Sequence, residues 1–150
     1  MKKLLLISTL LAVTLFADFN VGDRLPNIAL NDQFEKPLKV ELSDTVLIMA
    51  FEKDVSIEIS KFLKSQSKGF MAQHHTKYIS DISSMPSFVT SMFALPKMKK
   101  YPFSVMLINN DFGKQFDRKK GKVSIYTLKN KKIIAIEFIK PKQLSKFFSK

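Results

Sequence analysis

His74 and His75, with Met71 just ahead of them and Met85, Met92 and Met98 further on, are the residues whose types suit a soft metal ion such as copper. Imidazole and thioether groups both donate to it. Adjacent histidines diverge on a regular strand, however, and Met92 falls on an apolar helical stripe whose default role is core packing. No metal site is therefore expected, and His74, His75 and Met71 stand as the alternative reading. Ser56 and Lys61 have the residue types of a serine–lysine pair. No strained glycine elbow surrounds Ser56, which reads instead as a helix N-cap. Glu58 has no acidic partner at a useful spacing, and it reads as a carboxylate near a helix N-terminus, where it favours the dipole. The chain contains no cysteine. Disulfide exchange, thiol peroxidation and thiolate–metal chemistry are excluded, because each requires an ionisable sulfur. Four glycines in 150 residues leave little from which to build a phosphate-cradling loop, and no cofactor is expected.

Charge offers a second kind of function. The formal net charge is +12, with a pI near 9.9. Lys97, Lys99 and Lys100 precede the apolar run Phe103 to Ile108, and Arg118, Lys119, Lys120 and Lys122 follow it. Tyr101, Phe103, Phe112 and Phe116 are interleaved with them, a composition suited to docking on an anionic surface. The N-terminus decides which anion. Met1-Lys2-Lys3, the apolar run Leu4 to Phe16, and Ala17-Asp18 have the charged, apolar and small-residue order of a secretory signal peptide. Its apolar core is shorter than the ~20 residues of a comfortable membrane span. Residues 1–17 are thus expected to direct export to the periplasm of a Gram-negative cell, with cleavage after Ala17 and an uncleaved anchor as the alternative. Export excludes nucleic acid and leaves an envelope protein, an anionic surface or peripheral membrane contact as partners.

The elements that must hold these residues follow from pattern. Residues 18–150 suffice for one hydrophobic core. Val21 to Leu30 leads into a short strand, Asn31-Asp32-Gln33-Phe34 supplies a turn, and Leu38 to Leu42 alternates as a half-exposed strand, together an edge hairpin. Val46 to Phe51 is a continuous apolar run of the kind found in buried central strands. Ile59, Phe62 and Leu63 recur at helical spacing across Ser56 to Ser67, with Gly69 at or beyond the end. Tyr78 to Ile82 is a second central strand. Pro86 opens a helix whose stripe is Phe88, Val89, Met92 and Phe93, and Pro96 closes or kinks it. Phe103 to Ile108 is a strand, and residues 109–113 and 118–122 are loops. Val123 to Leu128 and Ile133 to Phe138 form a hairpin about Lys129 to Lys132, and Pro141 opens a terminal helix carrying Leu144, Phe147 and Phe148. This order indicates an α/β fold, a three-layer sandwich with a central mixed sheet flanked by helices.

Three segments together resemble the thioredoxin-like superfamily, in its exported peroxiredoxin and cytochrome-maturation branch. Val21-Gly22-Asp23-Arg24-Leu25-Pro26 with Asn31 to Phe34 is similar to the family's opening segment, Val46 to Lys64 to its active-site strand and helix, and Ser124 to Phe148 to its final hairpin and helix. Lys99-Lys100-Tyr101-Pro102-Phe103-Ser104 resembles a segment of the periplasmic YtfJ-type proteins. The resemblance implies a thioredoxin-like domain over 18–150. It places the two redox positions near Val55 and Glu58 and the family's cis-proline at Val123, so both defining features are missing. What remains is a non-enzymatic binding or accessory protein of the cell envelope. Its surface is expected around Val55, Ser56, Ile57, Glu58 and Val123, extended by the basic residues.

Overall fold

The computed structural model describes residues 18–150, so the expected signal peptide over 1–17 lies outside the described residues. The apolar run predicted to be central is β3 (Val46–Ala50) in a five-stranded sheet with β4 (Thr76–Asp81), β5 (Met106–Ile108), β6 (Val123–Lys129) and β7 (Lys132–Ile139), in the order β5-β4-β3-β6-β7. β3, β4 and β5 run parallel, while β6 is antiparallel to both β3 and β7. Alternation along the strands divides the core in two. Leu47, Met49, Ile79, Met106, Ile108, Tyr126 and Leu128 face one way; Ile48, Ala50, Tyr78, Leu107, Val123 and Ile125 face the other. Each fully buried Leu or Ile here contributes roughly 1.5–3 kcal/mol relative to exposure.

The second face is covered by α1 (Lys53–Lys64), through Val55, Ile59 and Leu63, and by α5 (Leu144–Phe148), through Leu144. The first is covered by the hairpin of β1 (Ala29–Asn31) and β2 (Pro37–Lys39), by Phe19 and Leu25, and by Phe112 and Phe116 beside a 3-10 turn at Asp111–Gln115. In the β6–β7 hairpin, Asn130 and Lys131 both take left-handed φ angles, 51° and 64°. That is the two-residue connection whose twist matches the strands.

Several boundaries move. β2 ends at Lys39 rather than Leu42, because the Asp44 carboxylate accepts the Glu41 N–H at 2.7 Å and turns the chain. α1 begins at Lys53, after an extended Glu52. Gly69, in a left-handed conformation, opens the short α2 (Phe70–Gln73), for which the sequence offered no periodic signal.

The largest departure concerns the helical run after Pro86. It comprises α3 (Ser87–Val89), a π turn at Thr90–Ala94 and α4 (Leu95–Met98). Pro96 explains the π turn. Proline has no N–H for the carbonyl of Met92, and its ring crowds that carbonyl, so the preceding turn widens and Leu95 N–H bonds to the carbonyl of Thr90. The stripe expected to pack in the core is exposed instead: Phe88 by 61%, Met92 by 67% and Phe93 by 64%. Met98, nearly buried, anchors the end of the run.

Candidate functional site

The C-terminal ends of parallel β3 and β4 open onto a cleft of about 590 Å³, whose other walls are the start of α1 and the helical run 87–98. Crevices beyond the carboxyl ends of parallel strands are where open α/β sheets bind ligands. Phe51, Ile57, Met85, Val89, Phe93 and Tyr101 supply apolar lining; Glu52, Ser56, Ser80, Asp81 and Lys97 supply polar groups. A larger hollow of about 860 Å³ lies towards the opposite ends of β3 and β4, beside Asp44, Phe70 and His75.

The expected site residues separate when they are placed. Ser56 and Ile57 line the cleft. Val55 and Val123 are buried in the core against Ile48 and Ile125, so neither side chain reaches a partner. Val123 opens β6, antiparallel to β3, and no peptide bond among the described residues is cis. Glu58 lies in the middle of α1 rather than at its N-terminus, exposed and paired with Lys61 at 2.6 Å. Ser56 is inside the first turn and not the N-cap, which is Glu52. The end of α1 facing the cleft therefore carries Glu52, Lys53, Asp54 and Ser56. None has the ionisable sulfur of dithiol chemistry.

Ser56 instead joins a hydroxyl cluster. Its Oγ lies 2.8 Å from the Tyr78 hydroxyl and 3.4 Å from Ser80 Oγ, while Ser60 Oγ is buried beside them without a partner. Burial pushes the Tyr78 phenol up from its ordinary value of 10.0 to about 12, against the lowering effect of the Ser56 hydrogen bond. Burial does the same to Tyr126, also to about 12, against the hydrogen bond that its hydroxyl accepts from Asp117 N–H. The folded chain thus holds both protons between pH 10 and 12, where the unfolded chain has lost them. Stability is full below pH 10 and falls as the pH rises through 12, by roughly 2–3 kcal/mol for Tyr78 alone. Phenolate absorbance at 295 nm should consequently rise together with loss of circular dichroism. Complete ionisation by pH 11 in a chain that stays folded would contradict this assignment.

The basic residues also separate. Arg118 is a latch: its guanidinium lies 4.1 Å from the Phe51 ring centroid, donates to the Gly113 carbonyl at 2.6 Å and faces Asp81 at 3.8 Å. Asp81 in turn accepts the Ser83 N–H at 2.9 Å. Gly121 N–H donates to Glu52 at 2.7 Å, tying the 118–122 loop to the start of α1, and Lys119 lies over the Phe138 ring. Lys120 is exposed and Lys122 partly so, while Lys97, Lys99 and Lys100 stand exposed at the end of the other wall. Arg118→Ala is expected to destabilise the fold by about 2 kcal/mol, because the cation–π contact and a charged hydrogen bond are lost and Asp81 loses its cation, keeping only the Ser83 N–H. Urea denaturation measures it; an unchanged midpoint would show that the latch contributes nothing.

His74 and His75 diverge. The His74 ring packs against Phe70 and Phe148, at 4.4 and 5.2 Å between centroids, whereas His75 is exposed with φ of 45° and its carbonyl accepts the Thr45 N–H. Met71 packs against the second core cluster. No group of three or more His, Asp or Glu side chains is gathered as a metal site among the described residues. Pattern reading missed Tyr78, Ser80 and Asp81 as site residues. Their signal was available in the polar end of a strand that is otherwise buried.

No protein-family model and no curated protein matches the sequence. Solved structures do match. A PrxQ variant from Xylella fastidiosa superposes with a TM-score of 0.58 at 13% identity, over 88% of this chain and 94% of its own. Peroxidoxin BcpB from Mycobacterium tuberculosis gives 0.55 at 15%, over 85% and 92%. The thioredoxin domain of a thiol-disulfide oxidoreductase from Bacteroides vulgatus gives 0.54 at 12%, over 87% and 99%. The chain has the thioredoxin-like fold, in a form without cysteine.

Proposed function

We propose that this chain is a non-enzymatic binding or accessory domain of the cell envelope, exported to the periplasm by residues 1–17, and that the cleft between α1 and the 87–98 run is its binding site. One observation carries the reading: the cleft has apolar residues on both walls, yet its reactive position carries only Ser56, Lys53 and carboxylates. The Ser56 hydroxyl is engaged with Tyr78 and has no histidine or lysine beside it among its hydrogen-bond partners. A weakly acidic hydroxyl without an adjacent base is a poor nucleophile. Apolar walls with a few fixed polar groups suit recognition of an extended segment of another protein. Ile57 and Met85 mark the two walls, so a photoreactive residue at either should capture the same partner in intact cells. A probe at Lys146 on α5 should capture none. Equal capture from all three positions, or from none, would overturn the reading.

A further inference from the structure

On the 87–98 run, Phe88 and Met92 lie outside the cleft, and Phe93 stands at its border. Phe88, Met92 and Phe93 are each more than 60% exposed, although such side chains are normally withdrawn from water. The π turn helps to gather them. In a regular α-helix, Phe93 would be rotated about 140° from Phe88, whereas the wider turn carries it round towards Phe88 and Met92. The result is an exposed apolar knob at the border of the cleft.

Charge selects what can cover it. No Asp or Glu occurs from Ile82 to Asn110, and Lys97, Lys99 and Lys100 follow the knob directly. The carboxylates that line the cleft are engaged, Glu52 by Gly121 N–H and Asp81 by Arg118 and Ser83 N–H. A rigid protein partner would need a matching pocket, whereas a fluid bilayer deforms round a protruding apolar group. Short helical segments with aromatic and aliphatic residues beside lysines lie in the headgroup region, with the lysines against anionic phosphates. We infer that Phe88, Met92 and Phe93 insert into the surface of an anionic lipid bilayer, with Lys97, Lys99 and Lys100 on the headgroups. The cleft would then open at the membrane face, beside Phe93.

The chain's lack of cysteine makes the test direct. In the full chain, Met92→Cys provides a single thiol for an environment-sensitive NBD label, and Lys61→Cys on α1 provides a control. Vesicles of phosphatidylglycerol and phosphatidylcholine should shift the Met92 label's emission to the blue, and spin-labelled lipid should quench it. The Lys61 label should stay aqueous. K97Q, K99Q and K100Q together should weaken the binding reported by this label about 100-fold, at roughly 5-fold per lysine, and raised salt should weaken it further. A label that stays aqueous while the protein sediments with vesicles would place the attachment elsewhere, in residues 1–17 for example, and overturn the inference. So would an equal shift on neutral phosphatidylcholine. A shift on raising protein concentration without lipid would assign the knob to a second copy of the chain, and also overturn it.

Discussion

Gly113→Ala is expected to cost about 3 kcal/mol, because a β-carbon there would lie 2.0 Å from the Asp81 Oδ2 and 2.9 Å from its Cγ. The side chain of Asp81 is 6% exposed and cannot swing into water without leaving Arg118 and the Ser83 N–H. Moving it therefore uncouples the latch over Phe51 and loosens one border of the cleft. Guanidinium denaturation gives the loss directly. A cycle with Asp81→Ala separates the causes: removing the carboxylate removes the clash, so the double variant should be more stable than the sum of the single losses by about 1–3 kcal/mol. Additive losses would mean that Gly113 is needed for its own backbone and not for Asp81.

Gln33→Leu should have an effect of similar size for a different reason. Gln33 is fully buried, and its side-chain nitrogen donates to the Phe103 carbonyl at 2.8 Å and the Met98 carbonyl at 3.3 Å. Its oxygen accepts the Val105 N–H at 2.9 Å. One amide thus ties the β1–β2 turn to the chain leaving the 87–98 run and entering β5. Leucine would fill the volume but leave these groups without partners, at a cost of roughly 3–4 kcal/mol. Amide exchange should accelerate at Val105 and through Lys99 to Phe103, ahead of the rest of the sheet. Loss spread evenly over the molecule would argue against a local tie.

These two residues also mark where pattern reading reaches its limit. β3, the β6–β7 hairpin and α1 were legible because continuous apolar runs and helical spacing report burial directly, and Asn130-Lys131 lies within the expected turn. In the sequence Gln33 reads as an ordinary turn residue. Nothing local distinguishes a solvated glutamine from one that reaches about 70 positions along the chain. Gly113 likewise reads as turn chemistry, and only the fold packs Asp81 on it. The stripe Phe88, Met92 and Phe93 failed for the opposite reason: apolar periodicity says that one face of a helix is apolar but not what covers that face. The site was half legible. Ser56, Ile57 and Lys97 line the cleft, whereas Val55 and Val123 fill the core and Glu58 lies mid-helix, paired with Lys61. An offset of the helix start from Ser56 to Lys53 accounts for the misplacement of Ser56 and Glu58.

The π turn joins the proposed surfaces. Phe93 and Ala94 of the turn line the cleft with Val89 just before it, while Met92 of the turn and Phe88 ahead of it stand in solvent. A partner held in the cleft would thereby be presented beside the bilayer.

Intact-mass spectrometry of a partner captured through Ile57, before and after prolonged incubation with the wild-type chain, tests the claim of binding without chemistry most directly. The account predicts a stoichiometric complex, a partner of unchanged mass, and affinity retained in Ser56→Ala. A mass change in the partner that Ser56→Ala abolishes would contradict it, and would make the hydroxyl cluster of Ser56, Tyr78 and Ser80 a catalytic centre.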